Sequence, residues 1–216
     1  SDSVLTFMDQ GGKLMALKPD VTLSIVKNSK DTPGVQKLYY NENVYRVAKG
    51  SRSFREMMQV GLELLGDVDD YCISEVLTLA AESLGCISGD FILDISHMGL
   101  VGGILRSSGL SSEGRDRAMA CLHQKNSHEL SALCRAENCD PQNLLTLVEA
   151  AGDPRTVLDA VENLVRDAHQ RESLDQLRRI CTVLADFGFG DRVRVDFSVG
   201  TDMKYYSGVV FKGYLD

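Results

Sequence analysis

Period-two alternation of apolar and polar residues is confined to the two ends of the chain and one short run between, while residues 99 to about 187 follow a helical period. This division narrows the available folds more than any other feature. Strands drawn from both ends around a helical middle make an α+β protein with a largely antiparallel sheet, not a repeating β-α-β order. At the N-terminal end, "VLTFMD" (4–9), Gly11-Gly12 and "KLMALKP" (13–19) read as a β-hairpin. Pro19-Asp20 opens a short helix, "DVTLSIVKNS", with Asp20 as its N-cap. Two further strands, "KLYYNENVYRV" (37–47) and "REMMQVGLELLG" (55–66), are joined by a loop at 48–54. In the second, Met58, Val60, Leu62 and Leu64 alternate with Met57, Gln59, Gly61 and Glu63. The spacing predicts the apolar set on the core side and Gln59 and Glu63 together on the other face.

Residues 68–85 read as a helix with acidic residues at its start and Gly85 at its end, and 91–98 as a strand. The helical middle breaks at Ser107–Ser112, Asn138–Pro141 and Gly152–Pro154, and Leu174, Leu177, Ile180, Cys181 and Leu184 mark an amphipathic helix within it. Strand returns at 192–199 and 205–214. One domain over residues 1–216 is expected, with a helical segment of about 105–188 inside it and the strand segments in one sheet. A chain of 216 residues can bury such a core without metals or cross-links.

Several function classes are disfavoured. No G-x-G-x-x-G or G-x-x-x-x-G-K-[ST] loop occurs. The net charge of −8 argues against a broad nucleic-acid face, although a local basic cluster runs from Lys49 to Arg55. No apolar run approaches the roughly 18 residues of a membrane span, and no signal-peptide pattern opens the chain, so a cytoplasmic protein is expected. The six cysteines form no C-x-x-C pair or zinc spacing and are read as packing residues. The four histidines share no metal-like spacing and are read as structural or exposed. Neither metal nor cofactor is expected.

If the sheet presents a polar face over a cleft, then Asp20, Thr22, Arg46, Gln59, Glu63, Tyr205 and Tyr206 line it. Asp20, Gln59 and Glu63 offer the several oxygen acceptors an ammonium group needs. Arg46 matches a carboxylate or phosphate with its planar fork, and the tyrosines offer a flat wall and a hydroxyl for a small ring. An amino acid carries both charges. Simpler readings stand beside this one: Asp20 as a helix cap, Gln59 and Glu63 as a solvated strand face, and Arg46 as a surface residue.

Four stretches carry a resemblance to a known family. "LTFMDQGGKLMALKPDVTLSIVKN" resembles the strand-turn-strand and "LRPE/DxT" segment of class II histidyl-tRNA synthetases, and "VYRVAKGSRSFREMMQVGLELLG" their motif 2 and the following strand. "ILDISHMGLVGGIL" resembles the next strand-helix join, and "DMKYYSGVVFKGY" the histidine-specific "DYYTGxVFE" motif. The wording "DISHMG" is closer to the catalytically silent branch of that family, the regulatory subunits of ATP phosphoribosyltransferase. The resemblance implies a class II synthetase-like antiparallel sheet flanked by helices, and a histidine-binding role for Asp20, Thr22, Arg46, Gln59, Glu63, Tyr205 and Tyr206.

Two departures separate the chain from the synthetases. Where they carry a glutamate that helps hold ATP, two residues after the motif 2 arginine, this chain has Ala48. Where they carry an arginine, five residues before the second tyrosine, it has Thr201, whose hydroxyl cannot stabilise developing phosphoryl charge. The resemblance therefore implies a non-catalytic subunit that pairs with a short-form ATP phosphoribosyltransferase catalytic subunit. L-histidine is the implied effector, and a homodimer within a larger hetero-oligomer the implied assembly. Alternatives are a histidyl-tRNA synthetase, a stand-alone amino-acid sensor, and a synthetase-like enzyme for another amino acid. The run stops at "KGYLD", before the expected "GGRYD"-like segment, which points either to a fragment of a longer protein or to a join across missing residues.

Overall fold

The computed structural model describes residues 4–30, 33–47, 53–200 and 206–215, which fall into two compact units, Ser1–Cys72 and Ile73–Asp216. In the first unit, β1 (Thr6–Met8) pairs antiparallel with β2 (Leu14–Ala16). The Asp9 carboxylate closes their turn by accepting from the backbone N–H groups of Gly11 and Lys13, and Gly12 supplies the positive φ of 78° that the turn demands. Helix α1 (Thr22–Asn28) follows, then β3 (Val35–Val47) and β4 (Phe54–Gly66), an antiparallel pair in continuous register from Val35↔Gly66 to Val47↔Phe54.

That register puts Tyr40, Val44 and Arg46 on one face with Gln59, Gly61 and Glu63. The phase of the alternation matches the sequence reading, but the covered face does not. Met58 and Val60 are 72% and 70% exposed, while Gln59 and Glu63 are half-buried and Val44 is buried. Period two says which residues share a face. Which face is covered depends on the crossing segment, and Lys18–Thr22 crosses the polar one. Tyr45 N–H donates to the Lys18 carbonyl at 2.9 Å, and Arg46 Nε donates to the Pro19 carbonyl at 2.9 Å.

The second unit begins within α2 (Asp70–Ile87), which leads to β5 (Phe91–His97). Helices α3 (Met98–Ser107), α4 (Ser112–His123), α5 (Ser127–Ala136), α6 (Gln142–Glu149), α7 (Pro154–Glu162) and α8 (Ala168–Leu184) follow, with β6 (Ala151–Gly152) between α6 and α7. After a π turn at Ala185–Phe189 come β7 (Val193–Asp196) and β8 (Val209–Leu215). The sheet order is β6-β7-β5-β8, antiparallel except for β5 and β7, which run parallel as a helical crossover requires. Among the described residues the strands form three ladders, two in the first unit and one in the second, within the mixed helix-and-sheet fold the sequence implies. Each long hairpin strand satisfies its partner, and the helical stretch returns β7 beside β5.

Five of the six helices from α3 to α8 begin on a side-chain cap. The His97 ring caps α3, and Ser111, Asn126, Asp153 and Asp167 cap α4, α5, α7 and α8 through their oxygens. Leu174, Leu177, Ile180 and Leu184 of α8 are fully buried with Leu93 and Ile95 of β5 and Leu100 and Val101 of α3. No helix among the described residues is long and apolar enough to cross a membrane.

Candidate functional site

Five of the seven residues picked out in the sequence converge in the first unit, and the hairpin register explains why. Arg46 near the end of β3, with Gln59 and Glu63 on β4, shares the face that the Lys18–Thr22 segment crosses. Thr22 Oγ1 donates to Glu63 Oε1 at 2.5 Å. Arg46 Nη2 donates to Gln59 Oε1 at 3.2 Å and stands 3.9 Å from Asp20 Oδ2. The N-cap of α1 is Val21, not Asp20 as the sequence suggested; Asp20, one residue earlier, still accepts from the Leu23 N–H at 3.1 Å through Oδ1, and its other oxygen faces the arginine.

Tyr40, which the sequence reading passed over, lies at the centre of this group. Its hydroxyl accepts from Gln59 Nε2 at 3.1 Å. Burial pushes its pKa up, and the charges of Glu63 and Asp20 push the same way, against the opposing effect of the neighbouring Thr22 and Gln59 side chains. Both carboxylate charges are therefore felt at one phenol oxygen. The available signal was glycine: Gly61 stands between Gln59 and Glu63 and directly opposite Tyr40. A Cβ there would overlap the Tyr40 ring and hydroxyl.

Chemically, the group is a small polar basin with two carboxylates and one guanidinium. Among the described residues, Glu63 Oε2 and Arg46 Nη1 carry no hydrogen bond. The first can accept from a cation and the second can donate to an anion. Arg46 keeps roughly half of its side chain open to solvent, and Asp20 about a third (47% and 35%), so a ligand could reach both.

The other two sequence-selected residues are placed differently. Tyr205 lies outside the described residues, as do Ala48 and Thr201. Tyr206 belongs to the second unit, where it is partly exposed and lines a cavity of about 590 Å³ with His123, Ser198, Lys212 and Tyr214. Among the described residues no group of His, Cys, Asp or Glu side chains is arranged to hold a metal. Burial pushes the Cys181 thiol up to about 12 and raises those of Cys121 and Cys134, which leaves these three un-ionised and unreactive.

The chain is 28% identical to an ATP phosphoribosyltransferase regulatory subunit of Alkaliphilus metalliredigens, over 99% of this chain and 56% of that protein. It is 26% identical to a histidine–tRNA ligase of Methanococcus aeolicus, over 98% of this chain and 52% of the ligase. It thus spans about half the length of these relatives. A solved ATP phosphoribosyltransferase regulatory subunit/histidyl-tRNA synthetase from Bacillus halodurans superposes with a TM-score of 0.86 at 27% identity, covering 99% of this chain and 57% of that one. A chain of the ATP phosphoribosyl transferase (HisG:HisZ) complex from Thermotoga maritima shares the fold, with a TM-score of 0.80 at 20% identity over 97% of this chain and 74% of that one. The family model described as histidyl-tRNA synthetase matches residues 1–216, and the chain belongs to that family.

Proposed function

We propose that this chain is part of a non-catalytic, histidine-responsive regulatory subunit of ATP phosphoribosyltransferase, acting in the cytoplasm on the first step of histidine biosynthesis. The observation that carries the reading is the convergence of Asp20, Thr22, Arg46, Gln59 and Glu63 on one strand face, with acceptors for an ammonium group and a donor for a carboxylate. Beside that retained basin, Ala48 and Thr201 replace the glutamate and arginine that a synthetase uses on ATP. The relatives named as regulatory subunits support the same branch. Tyr205 and Tyr206 complete the histidine site in this reading. The subunit takes no cofactor, metal, nucleic acid or membrane. It pairs with a short-form catalytic subunit and forms a homodimer within the hetero-oligomer.

The decisive experiment is reconstitution. The catalytic subunit from the same organism is assayed alone, with the protein, and with its Glu63→Ala variant, each across a histidine titration. Activation by both forms is expected, with the variant needing about 10–100-fold more histidine for half-inhibition, the worth of one charge-assisted hydrogen bond. No activation of a folded catalytic partner overturns the reading.

A second reading, histidine activation by a synthetase, draws on the similarity to the Methanococcus aeolicus ligase. ATP–pyrophosphate exchange dependent on histidine would establish it, and Ala48 and Thr201 predict none.

A further inference from the structure

The helical middle holds one wall of the second-unit cavity through a single ring. That wall, residues 198–200, leaves β7 in a turn that Asp196 closes from within. Asp196 Oδ1 accepts from the Ser198 N–H at 2.9 Å and from the Ser198 hydroxyl at 2.6 Å, and the Asp196 backbone carbonyl accepts from the Val199 N–H at 3.1 Å. These bonds shape the turn and do not use the Ser198 carbonyl. That carbonyl is met by His123, the last residue of α4, whose Nδ1 stands 2.9 Å from it. A carbonyl oxygen only accepts, so Nδ1 carries a proton and donates. The same half-buried ring lies against Gly200, where a Cβ would stand 2.9 Å from His123 Cε1 and 3.0 Å from Met98 Sδ. His123 and residues 198–200 bound the cavity together with Tyr206, Lys212 and Tyr214.

We propose that His123 is a positioning residue for this cavity, fixing where the 198–200 wall stands and so tying the Tyr206 end of the ligand site to the corner between α4 and α5. This role rests on the reading of Tyr206 and its cavity as part of the histidine site. Lys125, two residues further along that corner, anchors only the root of the turn, through Asp196 Oδ2 at 2.6 Å. The bonds from Asp196 to Ser198 and Val199 lie inside the turn and do not set its distance from α4. Without the His123 Nδ1–H, the Ser198 carbonyl turns to water and the wall moves away from the helix. Gly200 is needed because any side chain there would push the ring off the carbonyl.

The test uses the full-length protein with three variants, each measured well below its Tm. His123→Leu removes the donor and keeps much of the bulk, His123→Asn restores an N–H close to the place of Nδ1, and Gly200→Ala drives a methyl group into the ring. In calorimetry with histidine, His123→Leu and Gly200→Ala are expected to bind about tenfold more weakly, and His123→Asn to return within about threefold of the parent, as gain or loss of one hydrogen bond predicts. A second readout needs no ligand: nitrogen NMR of the ring is expected to show His123 with its proton on Nδ1, the less common tautomer of a free imidazole. A proton on Nε2 alone overturns the role of His123. So does a leucine variant that binds as tightly as the parent, or an asparagine variant that binds no better than the leucine one; the histidine reading survives each of these. A parent that shows the Nδ1–H tautomer but binds no histidine overturns the histidine reading, and the positioning role with it.

Discussion

Asp196, at the end of β7, shows how single residues in this chain combine burial with charge. Burial on its own would push the carboxyl up, but donors outweigh it and hold the pKa below the usual range: Lys125 Nζ at 2.6 Å, the Ser198 hydroxyl at 2.6 Å and the Ser198 N–H at 2.9 Å. A carboxyl held lower in the folded state than in the unfolded chain adds stability that is complete above the unfolded value, near about 4, and is lost as pH falls through the folded value. Lys125→Met removes one donor and is expected to cost about 1 kcal/mol at neutral pH, a cost that shrinks below about pH 4. Urea unfolding of parent and variant at both pH values measures it, and a difference that stays constant would assign the effect to packing. At this scale the candidate site was largely legible in the sequence, because Arg46, Gln59 and Glu63 are polar residues in phase on strands. Tyr40 was not, since an aromatic on a strand reads as packing until the register places it opposite a glycine. Asp20 stands where its two readings meet, one oxygen accepting from the Leu23 N–H and the other 3.9 Å from Arg46.

Elements were legible where period and punctuation agreed. The hairpin around Gly11-Gly12, the long pair β3 and β4, α2, β5 and the helical middle all stand close to where the sequence places them. The break between α4 and α5 was missed because Gln124-Lys125-Asn126 contains no glycine or proline, and Lys125 itself takes the positive φ of 52°. The parallel pairing of β5 with β7 was missed for a different reason: alternation carries no strand direction. The join of β5 to α3 illustrates what a buried histidine can do for an element. His97 Nδ1 accepts from the Gly99 and Leu100 N–H groups at 3.1 and 3.3 Å, and Nε2 faces Gln176 Oε1 at 2.8 Å. A neutral ring with its proton on Nε2 satisfies all three contacts, which gives His97 the structural role read for it. His97→Ala should cost about 1–2 kcal/mol as a lost cap. His97→Asn, whose side-chain oxygen can accept from the same amides, should recover at least half of that in thermal unfolding. An asparagine variant no more stable than the alanine one would locate the loss in packing instead.

At the scale of the whole molecule, the amino-acid site proposed for the basin would give the subunit a means of sensing the end product of the pathway proposed for it. Sensing requires only that histidine bind two states of the assembly unequally, and a coupling of about 1–3 kcal/mol corresponds to a factor of roughly 5–150 in affinity. Linkage makes this testable from either side. If histidine favours the inhibited assembly and phosphoribosyl pyrophosphate the active one, each must weaken the other by the same factor. Histidine titrated into the reconstituted complex by calorimetry, with and without saturating phosphoribosyl pyrophosphate, should therefore show a drop in affinity within that range. The reverse titration should show an equal drop. The Glu63→Ala complex should lose the coupling in step with its affinity for histidine, because the proposed function gives that carboxylate the effector to hold. A variant complex that keeps both the affinity and the coupling would move the effector site away from Asp20, Arg46, Gln59 and Glu63. The fold would then carry its ancestral pocket without using it.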